Sequence, residues 1–250
     1  MLNVTFLVTS QVFYFHQKNE RKSMKKTFFS LLFFTWSFAL LAQDDTGFKL
    51  GFKIGTPIAF NSVKSTENGI DASTNGSSLR FMAGPIADIV WTERYALTTG
   101  ILFTTKQANY AASISGLGGA GNLSEKYGLQ YIQIPVGLKL FTDELFENGK
   151  GFVNFGVQPE LLVGSNRKSG NYTDSQGRSA SLIKKFSPLD FGMFIGVGVE
   201  YKIGNNPVFG GIGYQRSFIN VVSKYDDSTI IRDFLSIKQN LFTIEVGVKL

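Results

Sequence analysis

The sequence predicts an all-β fold, an eight-stranded antiparallel up-and-down transmembrane β-barrel, and three observations predict it. Apolar residues alternate with polar or small ones at period two from Phe48 to Leu250. The connections between the alternating segments run long, short, long, short, long, short, long. Composition points the same way, with 24 Phe and 27 Gly in 250 residues and only 18% charged residues, a balance that suits β-structure exposed to lipid.

Two segments precede the predicted barrel. Residues 1–23 fit no export pattern and are read as an upstream extension, a start chosen in error. Residues 24–42 read as a signal peptide: Lys25 and Lys26 give a short basic start, Phe28 to Leu41 an apolar run too short to span as a helix, and Ala42 a small residue before the cut. Residues 43–250 are then the outer-membrane barrel domain.

Charge and residue usage exclude several function classes. The formal charge of +6 is mostly a property of the leader: residues 1–42 hold Lys18, Arg21, Lys22, Lys25 and Lys26 against Glu20, leaving 20 basic and 18 acidic residues for the remainder. Nucleic acid is therefore not a predicted partner. The chain has no Cys, which removes disulfides, thiolate metal sites and a lipobox anchor. Its one histidine, His16, lies in the upstream extension, so the mature chain has no histidine for acid–base catalysis or metal binding. The glycine run from Gly116 to Gly121 lacks the lysine and the strand–turn–helix setting of a phosphate loop, and Asp226-Asp227 reads as solvated loop charge. No catalytic residue, cofactor site or metal site is predicted, and the chain is read as not an enzyme.

Eight segments carry the alternation. The first, Phe48 to Gly55, sets Phe48, Leu50, Phe52 and Ile54 against Lys49, Gly51, Lys53 and Gly55. Phe81 to Trp91 and Tyr95 to Thr105 follow with weaker patterns. The fourth, YIQIPVGLKL from Tyr131 to Leu140, opposes Ile132, Ile134, Val136, Leu138 and Leu140 to Tyr131, Gln133, Pro135, Gly137 and Lys139. Phe152 to Val163 is again weaker. Asp190 to Ile203 alternates throughout, broken only by Phe194. Val208 to Asn220 is the seventh, and Leu241 to Leu250 the last, with Phe242, Ile244, Val246, Val248 and Leu250 on one face.

An even strand count puts both chain ends on one side. The short connections (Thr92 to Arg94, Thr142 to Gly151, Gly204 to Pro207) mark that side as periplasmic. The long ones, 61–79, 106–128, 165–188 and 221–236, are rich in Ser, Asn, Gly and Asp and read as external loops. Trp91, Tyr95 and Tyr201 lie where an interfacial aromatic girdle belongs.

Alternation alone does not say which face meets lipid, because a soluble lipocalin-like barrel inverts the arrangement. Glycine weakens a strand exposed to water but leaves room inside a narrow barrel, and charge is absent from the apolar face of the strongest strands. The apolar face is therefore read as lipid-facing. A lumen charge network follows, built from Lys49, Lys53, Asp88, Lys139, Glu160, Asp190, Glu200, Lys202, Glu245 and Lys249. Eight strands enclose a space that side chains fill, so these five acids and five lysines are expected to plug it by ion pairing rather than to line a channel.

The start FKLGFKIGTPIAF, the YIQIPVGLKL and DFGMFIGVGVEY strands, and GIGYQRSFINV followed by the final LFTIEVGVKL together resemble the PorT-like outer-membrane β-barrel proteins of the Bacteroidota. The resemblance covers the whole mature chain in strand order, and LLAQ resembles that group's cleavage junction. It implies an outer-membrane location and a secretion-associated role. One departure is the end, Lys249-Leu250, where such barrels often finish in an aromatic residue that the assembly machinery reads.

The functional expectation is a non-enzymatic structural, interaction or secretion-associated barrel that presents its external loops to a protein partner. Outer-membrane lipid and the barrel-assembly machinery are its other expected partners. The alternatives are a small-solute or lipid transport barrel, a soluble lipocalin-like periplasmic binder, and an unrecognised hydrolase.

Overall fold

Alternation of residue character at period two becomes alternation of burial in long strands. The structure is a computed structural model that describes residues 47–65, 70–73, 78–114, 121–171, 183–225 and 235–250. The upstream extension, the signal peptide and Asp226-Asp227 lie outside the described residues.

Eight long strands carry the fold: β1 (Gly47–Ser65), β2 (Met82–Thr92), β3 (Tyr95–Gly100 continuing as Leu102–Ile114), β4 (Gly121–Gln133 continuing as Val136–Phe146), β5 (Gly149–Gly170), β6 (Leu189–Ile203), β7 (Asn206–Ser217) and β8 (Leu235–Lys249). Each pairs antiparallel with its neighbours in sequence, and β8 returns to pair with β1, so the order closes into a ring. The closing register runs without a shift from Gly51↔Lys249 to Ser65↔Leu235, and the Leu250 amide donates to the Leu50 carbonyl at 2.7 Å. Closure leaves no open edge among these strands, which removes the template for edge-to-edge pairing.

Three tight turns, the start of β1 and the end of β8 gather at one end. The turns are Glu93-Arg94, Glu147-Asn148 and Gly204-Asn205. Gly204 adopts φ of 61°, a left-handed conformation that costs glycine little, and Asn148 adopts φ of 62°, which asparagine tolerates better than most residues. The second turn is tighter than the stretch from Thr142 to Gly151 that composition marks, because β4 runs on to Phe146.

At the other end the strands outrun the alternation. The stretch 106–128, read from composition as a loop, is largely a hairpin, with β3 paired to β4 from Leu102↔Gln133 to Ile114↔Gly121. β1 likewise continues through Asn61 to Ser65, and β5 through Ser165 to Gly170. Backbone pairing does not require apolar alternation, so Ser, Asn and Gly continue a ladder that neighbouring strands already hold in register. Two segments from different connections, Ile183–Phe186 and Val222–Tyr225, pair into a separate two-stranded sheet.

The burial pattern fixes the faces. Phe52, Ile54, Phe155, Val157, Ile195, Val197, Ile244 and Val246 are exposed, whereas Asp88, Lys139, Glu160, Asp190 and Lys249 are buried. The apolar face points out of the ring and the polar face in. On β2 the inward face is mixed, with Met82, Ile86 and Val90 buried beside Asp88.

Candidate functional site

The interior carries its charge in layers. β2, β4, β6 and β8 alternate around the ring, and each contributes one inward side chain to a single cluster: Asp88, Lys139, Glu200 and Lys249. Supply of a layer by alternate strands is how a closed barrel fills its interior. Lys139 Nζ lies 3.5 Å from Asp88 Oδ2 and 3.1 Å from Glu200 Oε2, and Lys249 Nζ lies 2.6 Å from Asp88 Oδ2 and also pairs with Glu200. The two cations and two carboxylates balance. Long lysine stems make the span, because their methylenes pack while the ammonium reaches across.

Aromatic rings frame the cluster. Lys139 Nζ sits 3.9 Å from the centroid of the Phe152 ring, 5.0 Å from Phe141 and 5.2 Å from Phe209, within cation–π range. The space left between Lys53, Asp88, Lys139, Phe194 and Glu245 is about 30 Å³, room for one water. Beside the cluster Lys53 of β1 pairs with Glu245 of β8 at 2.8 Å, across the strands that close the ring.

Glu160 of β5 forms a second buried centre nearer the loop end. It pairs with Lys106 of β3 and accepts hydrogen bonds from the amides of Gln133 (2.9 Å), Gln158 (3.2 Å) and Gln215. Asp190 of β6 accepts from the Ser217 hydroxyl and from the Phe191 amide at 2.7 Å. Lys49 and Lys202 instead line a wider cavity of about 320 Å³ at the short-turn end, together with Glu93, Glu144 and Lys150. The ten residues of the expected network are thus distributed over a four-residue cluster, a cross-strand pair, two separate carboxylate centres and an open vestibule.

Several interior residues are not evident from the sequence. Lys106 lies in a segment whose composition marks a loop, although it continues the inward parity of Leu102 and Thr104. Glu125 and Tyr127 extend the parity of Tyr131 in the same way. Gln133, Gln158 and Gln215 are visible only as polar members of their strands, and nothing local marks them as partners of Glu160.

The loop end of the interior is apolar. Ala108, Tyr110, Tyr127, Leu129 and Tyr131 of the β3–β4 hairpin pack against Ile183, Phe186, Val221 and Val222 of the paired connections and against Ile237 of β8. β8 and β4 lie on opposite sides of the ring, so this cluster crosses the interior. Tyr127 and Phe186 meet edge to face with centroids 5.1 Å apart. The Tyr127 hydroxyl donates to Glu125 at 2.6 Å and accepts from the Ile183 amide at 3.3 Å, which ties the inserted segment to the wall.

Chemically the Asp88–Lys139–Glu200–Lys249 cluster, the Lys53–Glu245 pair and the Lys106–Glu160 pair are each compensated within the chain, and the cavity at the short-turn end is the roomiest part of the described interior. Among the described residues no group of His, Cys, Asp and Glu is placed to hold a metal ion. Lysines, an arginine, amides and hydroxyls of the same chain face the buried carboxylates, while Asp190 Oδ2 has no hydrogen-bond partner.

A family model described as an outer membrane protein beta-barrel domain matches residues 41–223. The outer membrane protein OprG from Pseudomonas aeruginosa aligns with 11% identity and a TM-score of 0.51 over 84% of this chain and 99% of its own. Neisserial surface protein A aligns with 13% identity and a TM-score of 0.43 over 82% and 97%. Comparison with curated proteins gives no match.

Proposed function

The chain belongs to the outer-membrane β-barrel family whose model covers most of its ring, and from that premise we propose a non-enzymatic barrel that displays its loop end to a protein partner. The observation that carries this reading is an interior occluded from the loop end to the middle of the ring. Aromatic and aliphatic side chains cross it at the loop end, and buried ion pairs occupy it below. A chain organised in this way offers its outside and its loop end for recognition.

The short turns, the start of β1 and the end of β8 sit at the periplasmic side in this proposal, with the long connections outside, as in bacterial outer-membrane barrels generally. The outward apolar face of β6, from Leu189 to Ile203, supports direct contact with lipid. A soluble lipocalin-like binder would bury that face. The resemblance of the strand motifs to PorT-like barrels supports a secretion-associated partner.

The test is expression of the chain from Met24, fractionation, and gel mobility of the outer-membrane fraction with and without heating, followed by planar-bilayer conductance of the purified barrel. The expected result is a heat-shifted band in the outer membrane and no steady conductance. Steady single-channel currents would transfer the assignment to small-solute transport, and recovery in the soluble periplasm would overturn the barrel reading.

A further inference from the structure

The outward faces of β1, β8 and β7, three consecutive strands of the ring, change character abruptly toward the loop end. As far as Phe60, Phe242 and Tyr214 they are apolar, with Ile212 and Ile244 below. The next outward positions are Ser62 and Lys64 on β1, Asn240, Lys238 and Ser236 on β8, and Arg216 on β7. Register brings them together: Ser62 faces Lys238, Lys64 faces Ser236, and Asn240 faces Arg216. With Tyr214 they line a depression of about 230 Å³ on the outside of the ring. Its three cations are exposed, its described lining contains no carboxylate, and the Tyr214 hydroxyl donates to Asn240 Oδ1 at 3.2 Å.

Their outward direction follows from their neighbours. Val63 and Ile237 pack into the interior cluster and Gln215 bonds Glu160 inside the ring, so Lys64, Lys238 and Arg216, each one residue further on, point out. A basic side chain on the lipid face is costly at mid-bilayer and nearly free near the interface, so three together mark a boundary. Arginine offers a bidentate fork to a phosphate, and lysine a compact charge.

The geometry points to an outward-facing site for the phosphate-bearing headgroup of an outer-leaflet lipid, held by Lys64, Arg216 and Lys238. The apolar strip that runs on from the depression decides for a lipid over a soluble anion. Phe60, Phe242, Ile212 and Ile244 lie where acyl chains would follow from a headgroup in the depression. The inference rests on the proposed orientation, with the apolar face in lipid and the loop end outside.

The full chain is refolded into phosphatidylcholine vesicles doped with phosphatidic acid, scored for folding by heat-shifted gel mobility, and released into mild detergent for native mass spectrometry. Phosphatidic acid is expected to be retained over phosphatidylcholine by about tenfold or more, a modest share of what three basic residues supply near an anionic surface. The triple variant Lys64→Gln, Arg216→Gln, Lys238→Gln should lose that preference while keeping the heat shift. A control of equal charge loss, Lys126→Gln, Lys168→Gln, Lys185→Gln, should retain it. Equal retention by the triple variant, equal loss in the control, or displacement of the lipid by inorganic phosphate at matched concentration would each overturn the site. Failure of the wild-type chain to enter vesicles and shift on heating would instead overturn the barrel reading and the site with it.

Discussion

Replacing Lys139 by Met removes one of the two cations that neutralise Asp88 and Glu200 while keeping the length of the stem. The ion pairs this breaks span 3.5 Å to Asp88 and 3.1 Å to Glu200. At an effective dielectric constant of about 20, each corresponds to about 5 kcal/mol of Coulomb attraction, offset by the desolvation of Lys139 and by repulsion from Lys249. Breaking one partner out of a buried pair typically costs about 3–5 kcal/mol, because an uncompensated charge is left behind, and that is the expected loss here. Urea titration of the refolded barrel in vesicles, read by heat-shifted gel mobility, measures it. Adding Asp88→Asn leaves Glu200 with Lys249 and restores neutrality, so the double variant should recover about 2 kcal/mol or more relative to the sum of the single changes. A single-variant cost below about 1 kcal/mol, or simple additivity in the cycle, would refute the view that these four groups compensate one another.

Other perturbations probe the remaining features. Lysine in place of Val197, an outward residue in the middle of β6, should cost about 2–4 kcal/mol in vesicle unfolding if that face meets lipid; no measurable cost would place it in water. Gly156→Val puts a Cβ against the Val136 carbonyl and Gly137 Cα across the β4–β5 ladder, so it should lower stability by about 1–3 kcal/mol and reduce the heat-shifted fraction after refolding. Tyr127→Phe removes the hydroxyl shared between Glu125 and the Ile183 amide, and should speed hydrogen exchange at 183–186 while leaving β6 protected; unchanged exchange would show that the hydroxyl does not tether the insert.

The four strongly alternating strands were legible because one face of each is oily and the other polar or small, and a ladder built on them has a single sensible register. β2 was harder to read, since Met82, Ile86 and Val90 point inward and blur the contrast with the outward Phe81, Pro85 and Trp91. The extension of β3 and β4 past Lys106 was invisible to composition, because Ser, Asn and Gly are turn formers until a neighbouring strand supplies their hydrogen bonds. Of the interior charges, alternation placed Asp88, Lys139, Glu200 and Lys249 on one face. That they converge on one point, while Glu160 turns to Lys106 and three glutamines, depends on the stagger between strands distant in sequence. The crossing of the loop end needed two connections to meet, Ile183–Phe186 and Val222–Tyr225, and neither segment names the other.

The position of Lys249 couples electrostatic balance to the order of assembly. Until β8 docks on β1 and β7, the inward face of the growing sheet holds Asp88 and Glu200 with Lys139 as their one partner in the cluster, and Lys53 lacks Glu245. The step that seals the seam therefore also delivers the missing cation to one site and the missing anion to another. Charge balance in the cluster and at the Lys53–Glu245 pair is thus a property of the closed ring and not of β1 to β7 alone.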